Sequence, residues 1–409
     1  MNKSNWFLIL SYCLGSVMVL LSGALSAQES KISLQSASTL SWGPDNVLFV
    51  GDSLGATIYA IELDGLKQGS SAPINIKGFD SKLAAYMGVP SSDFIVNDMV
   101  VHRPSRNVFF AVTRGLGEQS QTLIISMNPQ GHLETLDLSG VEYSKFEISN
   151  APDQQKTFIE RGLRGEPEAL DIEKAGTLQR TFTITDTDYY RGDIFVAGLS
   201  NEEFSSTLRR IPFPFQGEEA VSHIEIFHAV HDQFETRAPV RTQVIQELDG
   251  KPYLIAAYTC TPLVVIPLDA LKDGAMVFGK TVAELGFGNT PVDMVLYRQD
   301  DDIKLLLTNT NRSAMAFNVD DIIHGEAILE GVSLTGTEGV SHVSMPITGA
   351  LQLDDFDDQY FLGLMRDPIS GGINLYSIRK DVPLKLNEFF VEYDFPGYDR
   401  AAATRRSID

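Results

Sequence analysis

Short apolar runs alternate with tight polar turns along this chain, and one stretch, Ser41 to Ile61 (SWGPDNVLFVGDSLGATIYAI), sets the pattern. Gly43-Pro44-Asp45-Asn46 carries hairpin-turn residues, and the β-branched and aromatic runs Val47 to Val50 and Ala56 to Ile61 flank a second loop. Apolar runs of that length bounded by Gly, Pro, Asn and Asp predict strand, turn, strand, loop, strand. A first strand is expected near Ser38 to Trp42 and a fourth near Pro73 to Lys77. The segment SKLAAYMG then reads as a short helix capped by Asp80 or Ser81 and ended by Gly88.

The unit recurs. Its second copy runs through Ile95 to Val101, Val108 to Val112, Thr122 to Met127 and Leu133 to Leu138. The third runs through Thr181 to Tyr190, Ile194 to Ala197 and Thr207 to Ile211, with Arg191-Gly192-Asp193 as its hairpin turn. A fourth has Val240 to Gln246, Pro252 to Tyr258 and Leu263 to Pro267; a fifth has Val292 to Tyr297, Lys304 to Thr308 and Ala314 to Asn318. The sixth has Ile347 to Leu353, Gln359 to Leu364 and Ile373 to Ile378, with Asn387 to Tyr393 as its last strand. Third strands align as GATIYAI, SQTLIISM, SSTLRRI, CTPLVVI, RSAMAFN and GGINLYSI, each with an apolar residue where the first has Ile58. A spacing of roughly 50–60 residues is that of propeller blades.

The expected fold is therefore all-β: a six-bladed β-propeller of four-stranded antiparallel blades, one domain over residues 28–400. Residues 142–176 form a charged, Pro- and Gly-punctuated insertion of the length usual for a lid or flexible segment. Seven blades is the alternative, if that insertion hides a degenerate one. Residues 401–409 read as a loose tail.

The N-terminus changes the location. Lys3 precedes an apolar run from Trp6 to Leu21, and the small residues Ala24, Ser26 and Ala27 follow, so residues 1–27 read as a secretory signal peptide. A periplasmic or secreted protein with no stable membrane span after cleavage is expected. Cleavage removes Cys13 and leaves Cys260 alone, so the mature chain forms no internal disulfide. The formal net charge of −22 disfavours nucleic acid and anionic membrane as partners, both being polyanions.

Propeller topology sorts the polar residues onto two faces. Turns between first and second strands collect aspartates, read as turn chemistry. The opposite, loop-rich face receives Asp52, Arg114, Cys260, Asn309, Arg312 and Arg366 from second-to-third loops, and His228, His231, Glu235 and Arg237 from between blades. Asn97, Asp98, Asp186, Tyr258 and Asp293 lie on or beside it, making this face the candidate ligand site. Asp98, Asp186 and Asp293 occupy similar places in three first strands. They either bind calcium together, through hard oxygen ligands, or cap backbone amides within their own blades. His228, His231 and Cys260 are the transition-metal candidate, since imidazole and thiolate suit zinc or copper; otherwise they are polar loop residues. Gly51-Asp52-Ser53-Leu54 matches the short GDSL-esterase signature, but that family needs a parallel sheet and this chain is hairpins throughout.

With WGPDNVLFVGD, the blade repeat and Asn97-Asp98 in view, the chain resembles secreted six-bladed propellers of the gluconolactonase, paraoxonase and strictosidine-synthase-like superfamily. The resemblance implies calcium at the channel mouth, held by residues such as Asn97, Asp98 and Asp293, and lactonase or esterase-like hydrolysis there. GLSNEEFSSTLRRIPFPF and AAYTCTPLV also resemble an uncharacterised family of exported bacterial proteins, which implies no activity. The expected function is binding of a small molecule or an extracytoplasmic protein on the loop-rich face, because no complete set of nucleophile, base and orienter is visible. The alternative is a calcium-dependent hydrolase using Asp98, Asp186 and Asp293.

Overall fold

A computed structural model describes residues 32–381, apart from 71, 159–176, 287, 334 and 335. The expected signal peptide, most of the insertion, the strand Asn387 to Tyr393 and the tail lie outside the described residues. Inside them, six strands stand around a central channel: β1 (Thr39–Trp42), β2 (Phe94–His102), β3 (Asp186–Tyr190), β4 (Val240–Leu248), β5 (Pro291–Gln299) and β6 (Ala350–Asp355). Each begins an antiparallel meander running outward from the channel. The architecture is all-β and propeller-like. Four meanders are separate four-stranded sheets, and those starting at β3 and β4 are joined in one ten-stranded sheet. The joint is a parallel pairing between Ala220–His228 and Met276–Glu284.

Local sequence explains the strands well. The second strands, such as Val47–Asp52, are packed on both faces, which is why they read as unbroken apolar runs rather than alternating ones. The tight turns put Asp45, Asn46, Arg191, Asp249 and Asp300 at positive φ, with Gly192 and Gly250 beside two of them. Asp, Asn and Gly reach that region at least cost, so the turn residues were readable. Helix Phe79–Met87 ends at Gly88 as expected, but its N-cap is Gly78 at φ 62°, with no side-chain cap from Asp80 or Ser81. Packing between sheets forms the core. Leu48, Val50 and Ile61 meet Phe109, Ala111 and Ile124 on one side of the first blade, and Phe49 and Ile58 meet Ile194 and Val196 on the other.

Those contacts expose an order around the ring that differs from order along the chain. Neighbouring inner strands run β1, β3, β4, β5, β6, β2 and back to β1. The expected fourth strand of the first blade, near Pro73 to Lys77, does form as Asn75–Ile76. However, it pairs with Leu375 and Tyr376 on the outer edge of the last blade. Ile74 N–H donates to Ser377 Oγ (2.8 Å) and Gly78 N–H to Asn374 Oδ1 (2.8 Å), closing the ring across 303 and 296 residues of chain. After the second blade the chain returns, and Tyr143–Glu147 pairs with Thr57–Glu62 to complete the first. The start of the supposed insertion is thus a blade strand. Propensity marks a segment as a strand; the open sheet edge it meets decides its partner. Three further outer strands, Ala220–His228, Met276–Glu284 and His342–Ser344, were not expected from sequence.

Candidate functional site

On the turn side the channel widens into a cavity of about 790 Å³, into which Asp98, Asp186, Asp188, Asp293 and Asp354 converge. Four of these carboxylates bond alike. Asp98 Oδ1 accepts from Met99 N–H (2.8 Å) and Oδ2 from Leu40 N–H of β1 (2.6 Å). Asp186 accepts from Thr187 N–H and from Gln243 N–H of β4, both at 2.7 Å. Asp293 accepts from Met294 N–H and from Leu353 N–H of β6, both at 2.8 Å. Asp354 accepts from Asp355 N–H (2.7 Å) and from Val101 N–H of β2 (2.6 Å). Every latch reaches the next inner strand in the same rotational sense. At the β1–β3 joint a Ser41–Thr187 hydroxyl pair (2.9 Å) stands instead.

These aspartates therefore cap amides of the neighbouring blade as well as their own. Burial pushes their pKa values up against the opposing amide bonds: Asp98 to about 8, Asp354 to about 7 and Asp186 to about 6, with Asp293 well above the ordinary carboxylate value. Asp188, two residues beyond Asp186, is raised well above it too, by burial and then by the Asp186 charge. Each oxygen of Asp98, Asp186 and Asp293 accepts one amide hydrogen bond. Among the described residues they do not gather into a metal-ligand group; the one such group is His228, His231 and Cys260.

The loop-side mouth has the opposite character. A cavity of about 610 Å³ is lined by Ser36, Ser38, Asn97, Gln352, Arg241 and Arg366, with Phe94, Ile95 and Leu351 as its apolar wall. Among the described residues no Asp or Glu lines it. Ile95 is 59% exposed there, high for a large apolar side chain. Asn97 Nδ2 donates to Ala37 O and Thr113 Oγ1, and Asn97 O accepts from Gln352 Nε2, all at 2.9 Å. Between the two cavities the channel narrows to a pocket of about 40 Å³, where Asp98, Asp186, Thr242, Asp293 and Gln352 meet Arg241.

The His/Cys group sits on the same face but farther out, at the joint of the ten-stranded sheet. His228 ends the strand Ala220–His228, Glu235 ends Gln233–Glu235, and Cys260, a free thiol, follows Lys251–Tyr258. The ligand atoms of His228, His231 and Cys260 all lie within 4.8 Å of one another. His228 is fully buried, its Nε2 3.0 Å from Thr261 Oγ1. Thr261 Oγ1 in turn donates to the buried Glu284, which also accepts from Ala229 N–H (2.8 Å). His231 Nδ1 lies 2.7 Å from Glu235 Oε1. Burial alone would depress His228; contacts with Cys260 and Glu235 outweigh it and raise the imidazole to about 10. Burial would likewise raise Glu235, and the two imidazoles beside it, His228 and His231, outweigh it and hold the carboxyl at about 2.

The other expected site residues serve the packing and bonding of the blades, although the buried Tyr258 hydroxyl has no hydrogen-bond partner among the described residues. Asp52, almost fully buried, accepts from Gln35 N–H, Ser36 N–H, Ser36 Oγ–H and Gly55 N–H, and so ties down the lead-in to β1. Ser53, the would-be esterase nucleophile, donates to Ile184 O (2.7 Å) and welds two blades. Arg114 donates to Met87 O and Gln121 Oε1. Asn309 Oδ1 accepts from Arg312 N–H within its own loop. Arg237 is exposed and donates to Glu203 O. Tyr258 is buried between blades, and burial pushes its hydroxyl pKa up. Sequence reasoning overlooked Arg241, Asp188, Thr261 and Glu284, and read Asp354 as a turn residue, whereas it lies in the strand Ala350–Asp355. Asp354 was legible as one more Asp in a first strand. Glu284 was hidden, because the strand that carries it was not recognised.

No protein-family model and no curated protein matches the chain. Solved structures similar to it include the extracellular domain of a putative one-component system, BT4673, of B. thetaiotaomicron (9% identity, TM-score 0.34, covering 84% of this chain and 39% of that one). Another is the plexin A4 extracellular region (8%, 0.36, 85% and 39%). A third is PorZ, a surface component of the type-IX secretion system of Porphyromonas gingivalis (10%, 0.32, 85% and 39%). The chain spans about two-fifths of the length of these proteins, and likenesses this distant carry no functional conclusion. Among the described residues no helix is long and apolar enough to cross a membrane.

Proposed function

We infer that the protein is an exported, six-bladed binding propeller whose loop-side channel mouth takes a small anionic molecule with an apolar body. Six blades follow from counting each half of the ten-stranded sheet as one, with one inner strand apiece. The observation that carries the ligand class is the charge of the mouth. In a chain of net charge −22, this cavity is lined by Arg241 and Arg366 and, among the described residues, by no carboxylate. Its volume of about 610 Å³ falls in the range of small-molecule sites. Arginine presents a planar fork that matches a carboxylate or phosphate, and Phe94, Ile95 and Leu351 would cover the apolar part. Extracytoplasmic location follows from the N-terminal signal pattern.

Calorimetric titration with a panel of amphipathic carboxylates, each paired with its neutral amide, tests the reading. Carboxylates should bind, their amides at least about tenfold more weakly, and Arg366→Ala should remove the difference. Equal binding of acid and amide would overturn it. The calcium-dependent hydrolase is the weaker reading: Asp98, Asp186 and Asp293 line one channel pocket, but each already accepts two amide bonds, and among the described residues they do not form a metal-ligand group.

A further inference from the structure

Beyond the channel mouth, and independent of it, we propose that His228, His231 and Cys260 bind one thiophilic transition-metal ion of the zinc or copper class. Three facts converge on that centre. First, two imidazoles and a thiolate, the donor set such ions prefer, already lie within 4.8 Å of one another. Second, hydrogen bonding selects the tautomer of His228. Glu284, when ionised, only accepts, so the Thr261 hydroxyl donates to it and receives the His228 Nε2 proton. In the neutral ring that binds metal, this leaves the lone pair on Nδ1, so the ion displaces a proton as it binds.

Third, His228 Nδ1 has no hydrogen-bond partner although the side chain is fully buried. Glu235 Oε1 is 3.1 Å away but off the line of a hydrogen bond. A buried imidazole nitrogen without a partner is costly, and a metal ion would satisfy it. His231 is oriented in the same manner, with Glu235 at its Nδ1 and Nε2 left to coordinate. Carboxylate or hydroxyl partners behind ligating histidines are the usual outer shell of a metal site. His231 is 42% exposed at its side chain, which provides the entry path, and three protein ligands leave a fourth position open. Cys260 has no disulfide partner in the mature chain, so its thiol stays available.

The test is titration of the reduced, metal-stripped full chain with Co²⁺ under anaerobic conditions, followed by displacement with Zn²⁺ or Cu⁺. The expected result is one equivalent bound, with a thiolate-to-cobalt charge-transfer band and the visible bands of a four-coordinate ion, bleached by Zn²⁺ or Cu⁺. Cys260→Ser should abolish the charge-transfer band. His231→Ala, an exposed position that should leave folding intact, should weaken binding by more than about 100-fold. Thr261→Val should weaken it roughly 10–100-fold, the usual cost of losing an orienting partner. Absence of the charge-transfer band, unchanged affinity in His231→Ala, or failure of Zn²⁺ and Cu⁺ to displace cobalt would each overturn the proposal.

Discussion

Raising the pH from 5 to 7 should destabilise this protein, and the aspartate latches set the slope. Asp98 is held by burial at about 8 and Asp354 at about 7, against 3.8 for an ordinary aspartate. In the folded protein Asp98 keeps its proton over that range and Asp354 over most of it, whereas both have lost theirs in the unfolded chain. Folded-state values above the unfolded value mean stability that is complete below about pH 4 and lost as pH rises through the folded values. One group in that condition costs about 1.4 kcal/mol per pH unit, so the pair gives about 2–3 kcal/mol per unit. Two units take about 5 kcal/mol, comparable with the whole stability of many domains.

Asp98→Asn isolates one group, because the amide occupies the same space and does not titrate. It should lower stability at pH 5 by about 1–3 kcal/mol, since its NH2 cannot accept from Leu40 or Met99, and should flatten the slope by about 1.4 kcal/mol per unit. Burial pulls His102 and His342 below 6.5, which opposes the trend in both proteins and cancels in the comparison. The assay is urea unfolding followed by far-ultraviolet circular dichroism at pH 5, 6, 7 and 8. A wild-type stability that is flat or rises over that range, or a variant with the wild-type slope, would refute the reasoning.

Two other outcomes follow from the same bonding. Asp52→Ala should cost about 2–4 kcal/mol by leaving Gln35, Ser36 and Gly55 N–H without their acceptor, and limited proteolysis should then cut the lead-in before β1 faster than in wild type. Asn374→Ala should weaken ring closure by about 1–3 kcal/mol, seen as faster amide exchange at Ile76 and Tyr376 than at the β1–β2 contact.

Most of the blades were legible from local pattern. Hairpin turns of Asp, Asn and Gly, and the apolar runs of second and third strands, need only neighbours within a few residues, and sequence carries that directly. The outer strands were harder. Ala220–His228 and Met276–Glu284 mix polar and apolar positions because they pair with each other at the rim. The identity of the partner was not in the sequence for Asn75–Ile76 or Tyr143–Glu147: both are acceptable strands, and which open edge each completes depends on the closing of the whole ring. The site divides in the same way. Asp98, Asp186 and Asp293 were recognisable as a repeated feature, but the second amide donor to each lies on an adjacent blade. His228, His231 and Cys260 could be suspected from residue type alone. Their convergence, the Thr261–Glu284 support and the orphaned Nδ1 exist only because tertiary packing brings two meanders edge to edge. Residue type determines which chemistry is available; the distances that switch it on belong to the fold.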